Sequence, residues 1–230
     1  MAEPAAPPAI RDAATIVLWR RVAASGVEIL MGQRGAGAAF MPSKFVFPGG
    51  AVDPADDHVR LGGSLPRLCA RRLGIESPRR PETLAAAAIR ELWEETGLAL
   101  GQPGNWTQPP ADRGEDWRAF AERGLCPAAS GLRFLFRAIT PPGRPRRFDA
   151  RFFLADAAGI AGDLNDFRAA SDELSHLHWV ALAEARRLDL PFITEVVLSE
   201  AKAMLDCGPD PAGVPFFDNS GDRPRFRRLE

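Results

Sequence analysis

Several things are scarce in this 230-residue chain. It has three cysteines, three histidines and almost no net charge, with Lys+Arg 29 against Asp+Glu 30. Cys69, Cys126 and Cys207 are odd in number and far apart. With no CxxC pair, they exclude a disulfide framework and a structural zinc site, and they fit a reducing cytoplasm. His58, His176 and His178 form no zinc pattern, and the spacing predicts that the last two share one face of a strand. The charge balance gives no bulk attraction to nucleic acid or to an anionic membrane. No apolar run approaches the ~18 residues of a membrane span. The start, MAEPAAPPAI, lacks the basic and apolar regions of a secretory leader, so a cytoplasmic protein is expected. A serine-hydrolase elbow and a phosphate-binding Gly-x-x-x-x-Gly-Lys loop are both missing.

What is present is an ordinary globular composition, 46% hydrophobic and 26% charged. The length suits one domain with a large core. Residues 1–12, rich in Pro and Ala, predict a loose arm. Apolar runs predict strands over Thr15–Val22, Val27–Gln33, Phe45–Phe47, Leu132–Ile139, Phe148–Leu154 and Leu174–Leu182. Ser25-Gly26 predicts a hairpin turn between the first two. Residues 101–115 read as loop. Helices are expected over Glu82–Thr96, Asp116–Arg123 and Phe192–Leu205. The first of these starts after Pro81 and stops at Gly97. This interleaving predicts an α/β protein with a mixed sheet and flanking helices. The five tryptophans are expected in the core or in pocket walls. After Gly208 the chain, rich in Pro, Gly and Asp, reads as an irregular tail over 208–230.

One stretch carries chemistry. In Arg90-Glu91-Leu92-Trp93-Glu94-Glu95-Thr96-Gly97-Leu98, the carboxylates of Glu91, Glu94 and Glu95 stand at i, i+3 and i+4. They share one helix face, where like charges repel, and lie near the C-terminal end, where the helix dipole opposes anions. A hard divalent cation resolves both costs, and oxygen-rich ligation suits Mg²⁺ or Mn²⁺. A solvated acidic face is the alternative. Arg90 is expected to pair with Glu82 and to hold Glu91.

The string resembles the second half of the Nudix box, and it matches every fixed position. By average composition, a chance match in a chain of this length is about 1 in 10⁵. Glu82 also stands where that pattern places its first glutamate. The front half departs: Pro48-Gly49-Gly50 lies upstream, and Gly50 and Glu82 are 32 positions apart where the pattern has 6, an insertion of 26 residues. The insertion, the segment Lys44–Asp53 and the segment Arg147–Phe153 together resemble the Nudix subgroup that includes peroxisomal acyl-coenzyme A diphosphatases.

The resemblance implies a Nudix-type α/β/α sandwich over residues 13–207, with 53–81 inserted in the box. It implies metal-dependent hydrolysis of a nucleoside diphosphate linked to another moiety. Coenzyme A or acyl-coenzyme A comes first, ADP-ribose or NADH next, and a non-catalytic nucleotide-binding regulator last. Glu91, Glu94, Glu95 and the carbonyl of Gly50 are the implied metal ligands. Glu173 is the candidate base or extra ligand, with a turn acid as the alternative. Arg34, Gly49 and Gly50 are placed at the substrate. Arg147 and Arg151 flank Asp149 and suit an adenosine 3′-phosphate, or equally a surface ion-pair cluster. The inserted segment, with six arginines from Arg60 to Arg80, predicts a basic solvated face and a short helix burying Leu65, Leu68, Cys69 and Leu73. It is expected to border the substrate pocket. The implied partner is a small nucleotide, nucleic acid and membrane are disfavoured, and a homodimer is left open.

Overall fold

The computed structural model describes residues 8–38, 41–106, 114–210, 212–221 and 223–230. Gly26, at φ +77°, lets the first two apolar runs fold back on each other. They form β1 (Ile10–Val22) and β2 (Gly26–Arg34), antiparallel with Trp19 opposite Ile29. β1 also runs parallel to β8 (Arg147–Asp156), from Ile10 beside Arg147 to Trp19 beside Asp156. Around this pair grows a nine-stranded mixed sheet. On one side β2 is followed by β10 (Leu174–Ala181); on the other come β7 (Arg133–Ile139), β11 (Val214–Asp218) and β12 (Arg225–Leu229). The short strands β3 (Phe45–Val46) and β4 (Gly49–Ala51) pair with β2 and β1.

The period-2 pleat of β1 divides the core. Ala14, Ile16 and Leu18 pack on one face with α2 (Pro81–Thr96), and Val17 packs on the other with Val197 and Leu198 of α4 (Phe192–Cys207). The result is the expected α/β/α layering. In α2 the run Ala85–Ala88 is wholly buried. It lies under α1 (Arg67–Leu73) and α3 (Glu115–Glu122), and a smaller sheet of β6 (Leu125–Pro127), β5 (Ala99–Pro103) and β9 (Ile160–Ala161) sits nearby.

Four expectations change. The arm loses residues 10–12, because β1 begins at Ile10; residues 1–7 lie outside the described residues. The segment 101–115 contributes its first three residues to β5, and 107–113 lie outside the described residues. The tail is not irregular: Val214, Phe216 and Leu229 are buried, and Phe216 pairs beside Arg137 of β7. Turn residues around VPFFD and RFRRL hid two short strands. Finally, Leu68 is 41% exposed, so α1 buries a narrower stripe of Cys69 and Leu73, with Leu65 just before it.

Gly97 ends α2 at φ +73° and its N–H donates to the Trp93 carbonyl at 2.8 Å. An added Cβ there meets Ala169 at 3.1 Å, whereas Gly74 after α1 has φ −74° and only ordinary contacts. Gly97→Ala is therefore expected to lower stability by about 1–2 kcal/mol, and Gly74→Ala to change it by less than about 0.5 kcal/mol. Urea unfolding of both variants measures the contrast.

Candidate active site

Helical spacing brings Glu91, Glu94 and Glu95 to the last two turns of α2, and the final turn holds no basic residue. Arg90 lies among them. Its Nη1 donates to Glu91 Oε1 at 2.9 Å and to Glu94 Oε1 at 2.8 Å. Its Nε and Nη2 grip the two oxygens of Asp56 at 3.0 and 3.1 Å, and Nη2 also donates to the Ala51 carbonyl at 2.9 Å. Arg90 thus holds Glu91 as expected, but its other partner is Asp56 and not Glu82. Eight helical residues separate Glu82 from Arg90 by about 12 Å, and Glu82 is exposed.

Asp56 comes from the insertion and is 1% exposed. It also accepts from Trp117 Nε1 at 3.2 Å and from the Asp53 N–H at 2.9 Å. Next to it, Asp57 accepts from Thr83 Oγ1 of α2 at 2.7 Å. The insertion therefore braces the outer side of α2. It keeps Arg60, Arg67 and Arg71 exposed but buries Arg72, and it does not border the cleft described below.

Gly49 and Gly50 bring the other wall of the site. β4 pairs with β1, setting Gly49 opposite Thr15 and Gly50 opposite Ala14. The Gly49 N–H donates to Glu95 Oε2 at 2.7 Å. A Cβ on Gly50 would stand 2.4 Å from Glu91 Oε2, so any side chain there would push the carboxylate from its place.

Burial pushes Glu91 up to about 7 and Glu94 up to about 8, against the pull of Arg90. Glu95, 2% exposed, is held well above the usual carboxylate range by burial and then by the charge of Glu91. One guanidinium shared among Asp56, Glu91 and Glu94 does not neutralise this group. Among the described residues no three side chains form a ready metal cage: Arg90 occupies Glu91 and Glu94, and Glu95 turns to Gly49. The donor chemistry nevertheless fits a hard cation, being all oxygen, buried and short of positive charge.

These groups open into a cleft of about 640 Å³. Arg34 and Glu173 line it beside Gly49, Gly50, Glu91 and Glu94. Arg34 Nε is buried without a hydrogen-bond partner. Glu173 is exposed just before β10, and its charge raises Glu91 and Glu95. The walls are phenylalanines, among them Phe47, Phe148, Phe152 and Phe192; no tryptophan lines the cleft.

Arg147 and Arg151 do not face the cleft, correcting their placement at the substrate. β8 sends Phe148, Ala150 and Phe152 into the cleft, so the pleat turns residues 147, 149 and 151 to the opposite face. There Arg147 donates to the carbonyls of Thr140 and Asn219 at 3.0 and 2.7 Å. Arg151 donates to Asp12 at 2.6 Å and stands 3.2 Å from Asp149, which Arg137 also grips at 2.7 Å. The cluster is an ion-pair network, but a buried one. His176 and His178 do not share a face either, because β10 bulges between Ser175 and His178 with His176 at φ +51°.

Asp56, Arg11, Arg144 and Arg146 were absent from the sequence-derived site. The last three line the cleft. The only sequence signal for Asp56 was its acidity within an arginine-rich segment, at the third position of a capping box begun by Asp53.

Two outcomes follow from this electrostatics. The folded protein holds carboxyl protons that the unfolded chain releases near pH 4.5, so metal-free stability falls as pH rises from about 4.5 to 8. Thermal unfolding in EDTA is expected to show that slope, Glu95→Gln to flatten it, and Mg²⁺ to raise Tm more at pH 8 than at pH 6. Asp56→Asn leaves Arg90 its shape but removes the charge that anchors it. It is expected to weaken Mg²⁺ binding about tenfold by calorimetry, the scale of losing one partner outside a ligand set, with Asp56→Glu intermediate.

A family model described as the NUDIX domain matches residues 9–199. The chain is 30% identical to the putative nudix hydrolase 7 of Caenorhabditis elegans, covering 74% of this chain and 51% of that protein. It is also 30% identical to the acyl-coenzyme A diphosphatase NUDT19 of Gallus gallus, covering 55% of this chain and 47% of that one. It spans about half the length of these curated relatives. The crystal structure of a NUDIX hydrolase from Alicyclobacillus acidocaldarius superposes with a TM-score of 0.62 at 28% identity, covering 87% of this chain and 93% of that one. With its glutamate helix, its Gly-Gly strand and the family model running through both, the chain belongs to the Nudix family.

Proposed function

We propose that the chain hydrolyses the diphosphate bond of coenzyme A or an acyl-coenzyme A, using Mg²⁺ or Mn²⁺ held by Glu91, Glu94, Glu95 and the Gly50 carbonyl. The observation that carries this reading is one cleft containing three kinds of wall: buried carboxylates, unpaired cations and phenylalanines. The carboxylates suit a metal, the cations suit phosphates, and the phenylalanines suit an apolar chain. The 30% identity to a protein named acyl-coenzyme A diphosphatase supports the same substrate class. Nudix enzymes generally use divalent metal ions, and no described helix is long and apolar enough to cross a membrane. The three cysteines are free, which suits a reducing cytoplasm.

When bound, a divalent cation neutralises the diphosphate and lowers the pKa of water. The residues of the chain do the rest. Arg90 fixes the orientation of Glu91 and Glu94. Arg34, with its buried unpartnered Nε, binds a phosphate oxygen. Glu173 takes the proton of the attacking water. The water oxygen bonds to phosphorus, the bridging P–O bond breaks, and the bridging oxygen leaves with the other phosphate. Coenzyme A plus water then gives adenosine 3′,5′-bisphosphate and 4′-phosphopantetheine.

Mass spectrometry of products from coenzyme A, acyl-coenzyme A, ADP-ribose and NADH, each with Mg²⁺, Mn²⁺ or EDTA, tests this. The expected result is metal-dependent release of those two products. AMP from ADP-ribose or NADH alone would replace coenzyme A by a simpler dinucleotide. Glu94→Gln is expected to lower kcat by about 10²–10³-fold, and Glu173→Gln by a comparable factor with a changed pH profile. Full activity in Glu94→Gln would overturn the metal assignment.

A further inference from the structure

The floor of the cleft can be written as three cross-strand rows. The inner row sets Gly49, Thr15 and Phe152 side by side across β4, β1 and β8, at the carboxylates. The middle row is alanine throughout: Ala51, Ala13, Ala150 and Ala138 are successive partners across β4, β1, β8 and β7. All four line the cleft. The outer row sets Arg11 beside Phe148, and Phe148 hydrogen-bonds to Thr140. Arg144 and Arg146 lie on the turn between β7 and β8 and line the same end.

These three arginines differ from most others in the chain. Arg90, Arg137, Arg147 and Arg151 are buried and held by ion pairs or carbonyl contacts. Arg11, Arg144 and Arg146 are exposed, and no hydrogen bond or ion pair engages them among the described residues. Two side-chain rows along a strand span about 13 Å. The cleft therefore has cations concentrated a short distance beyond its carboxylate end, across a row of alanine methyl groups.

We propose that Arg11, Arg144 and Arg146 form a second anion subsite that takes a phosphomonoester carried by the substrate in addition to its diphosphate, with the alanine row as the platform for the nucleoside between them. Resting on the coenzyme A reading, this assigns the subsite to the 3′-phosphate of the adenosine half. It makes the enzyme selective against diphosphates that lack that group. A guanidinium fork can hold such a dianion through paired hydrogen bonds.

The test compares two ligand pairs in the wild-type chain and in Arg144→Gln/Arg146→Gln, with Arg11→Gln as a third protein. Turnover of coenzyme A is compared with that of 3′-dephospho-coenzyme A. Binding of adenosine 3′,5′-bisphosphate is compared with that of 5′-AMP by calorimetry in EDTA, where neither metal nor chemistry contributes. The wild type is expected to favour the 3′-phosphorylated member of each pair by about 10–100-fold, the scale of one or two charged hydrogen bonds. Both ratios should fall toward 1 in the double variant and partway in Arg11→Gln. Coenzyme A cleaved with no preference over its dephospho form, and equal binding of the two mononucleotides, would overturn the subsite and leave the proposed activity standing. No cleavage of either coenzyme, with the binding preference and its loss on mutation intact, would overturn the coenzyme A reading while upholding the anion site. A preference that survives unchanged in all variants would move the site away from these arginines and overturn the assignment.

Discussion

The Arg90 guanidinium organises the site. Its five N–H donors meet two carboxylates that face the cleft, one buried carboxylate behind it and one backbone carbonyl of β4. A lysine cannot make that set of contacts, because the contacts diverge in the plane of a fork. The arrangement links three separate pieces of chain: the helix with the glutamates, the strand with the two glycines, and the insertion. Each piece is held where the next needs it. Buried charges of this kind do not maximise stability, since desolvation offsets much of their attraction. They fix positions, and here the positions fixed are those of Glu91 and Glu94.

That coupling accounts for the insertion. A segment of 26 residues placed between the Gly-Gly turn and the glutamate helix separates in sequence two parts that must meet in space. The lengthening alone costs little in loop entropy. Position is the greater demand, and the segment meets it by packing Leu65, Cys69 and Leu73 into the core over α2 and by sending Asp56 inward to Arg90. Asp57 then fastens Thr83 near the start of the same helix. The insertion acts on the outer side of α2, opposite in effect to a lid: it stiffens the support of the site and leaves the cleft open.

Much of this was legible in the sequence. The helix was marked by Pro81, the alanine run and Gly97; spacing put its three glutamates on one face, and the motif around them singled them out from a solvated acidic face. The hairpin and the mixed sheet followed from local patterns as well, whereas Gly49 and Gly50 were placed near the glutamates only by the family resemblance. The errors at the site share one origin, which is that a linear pattern does not say what covers each face. Arg147 and Arg151 alternate with Phe148 and Phe152, and alternation identifies two faces without identifying the open one. The insertion residues around Ile75 and Ser77 cover the arginine face, with Arg137 donating to the Ile75 carbonyl. Asp56 was hidden for the same reason, since its partner lies 34 residues away. The last two strands were missed because five residues with a proline or several arginines carry little periodic signal.

The cleft exists because α4 covers only part of its sheet face. Val17, Ile29 and Met31 lie beneath Val197, Leu198 and Ala201, and that region is closed core. Farther along β1, Ala13 and Thr15 point the same way, yet only the segment from Leu190 to Thr194, leading into the first turn of α4, lines the cleft with them. Phe192 is 70% exposed there. A sheet face left uncovered needs side chains that tolerate water or that await a partner. The row of alanines presents little apolar bulk to solvent, and the arginines beyond it are at home in water. Emptiness at this end is therefore inexpensive for the fold, while the buried glutamates at the other end are costly to it until a cation arrives. The two ends are tuned by opposite physics: one is stable unfilled, and the other is stabilised by being filled.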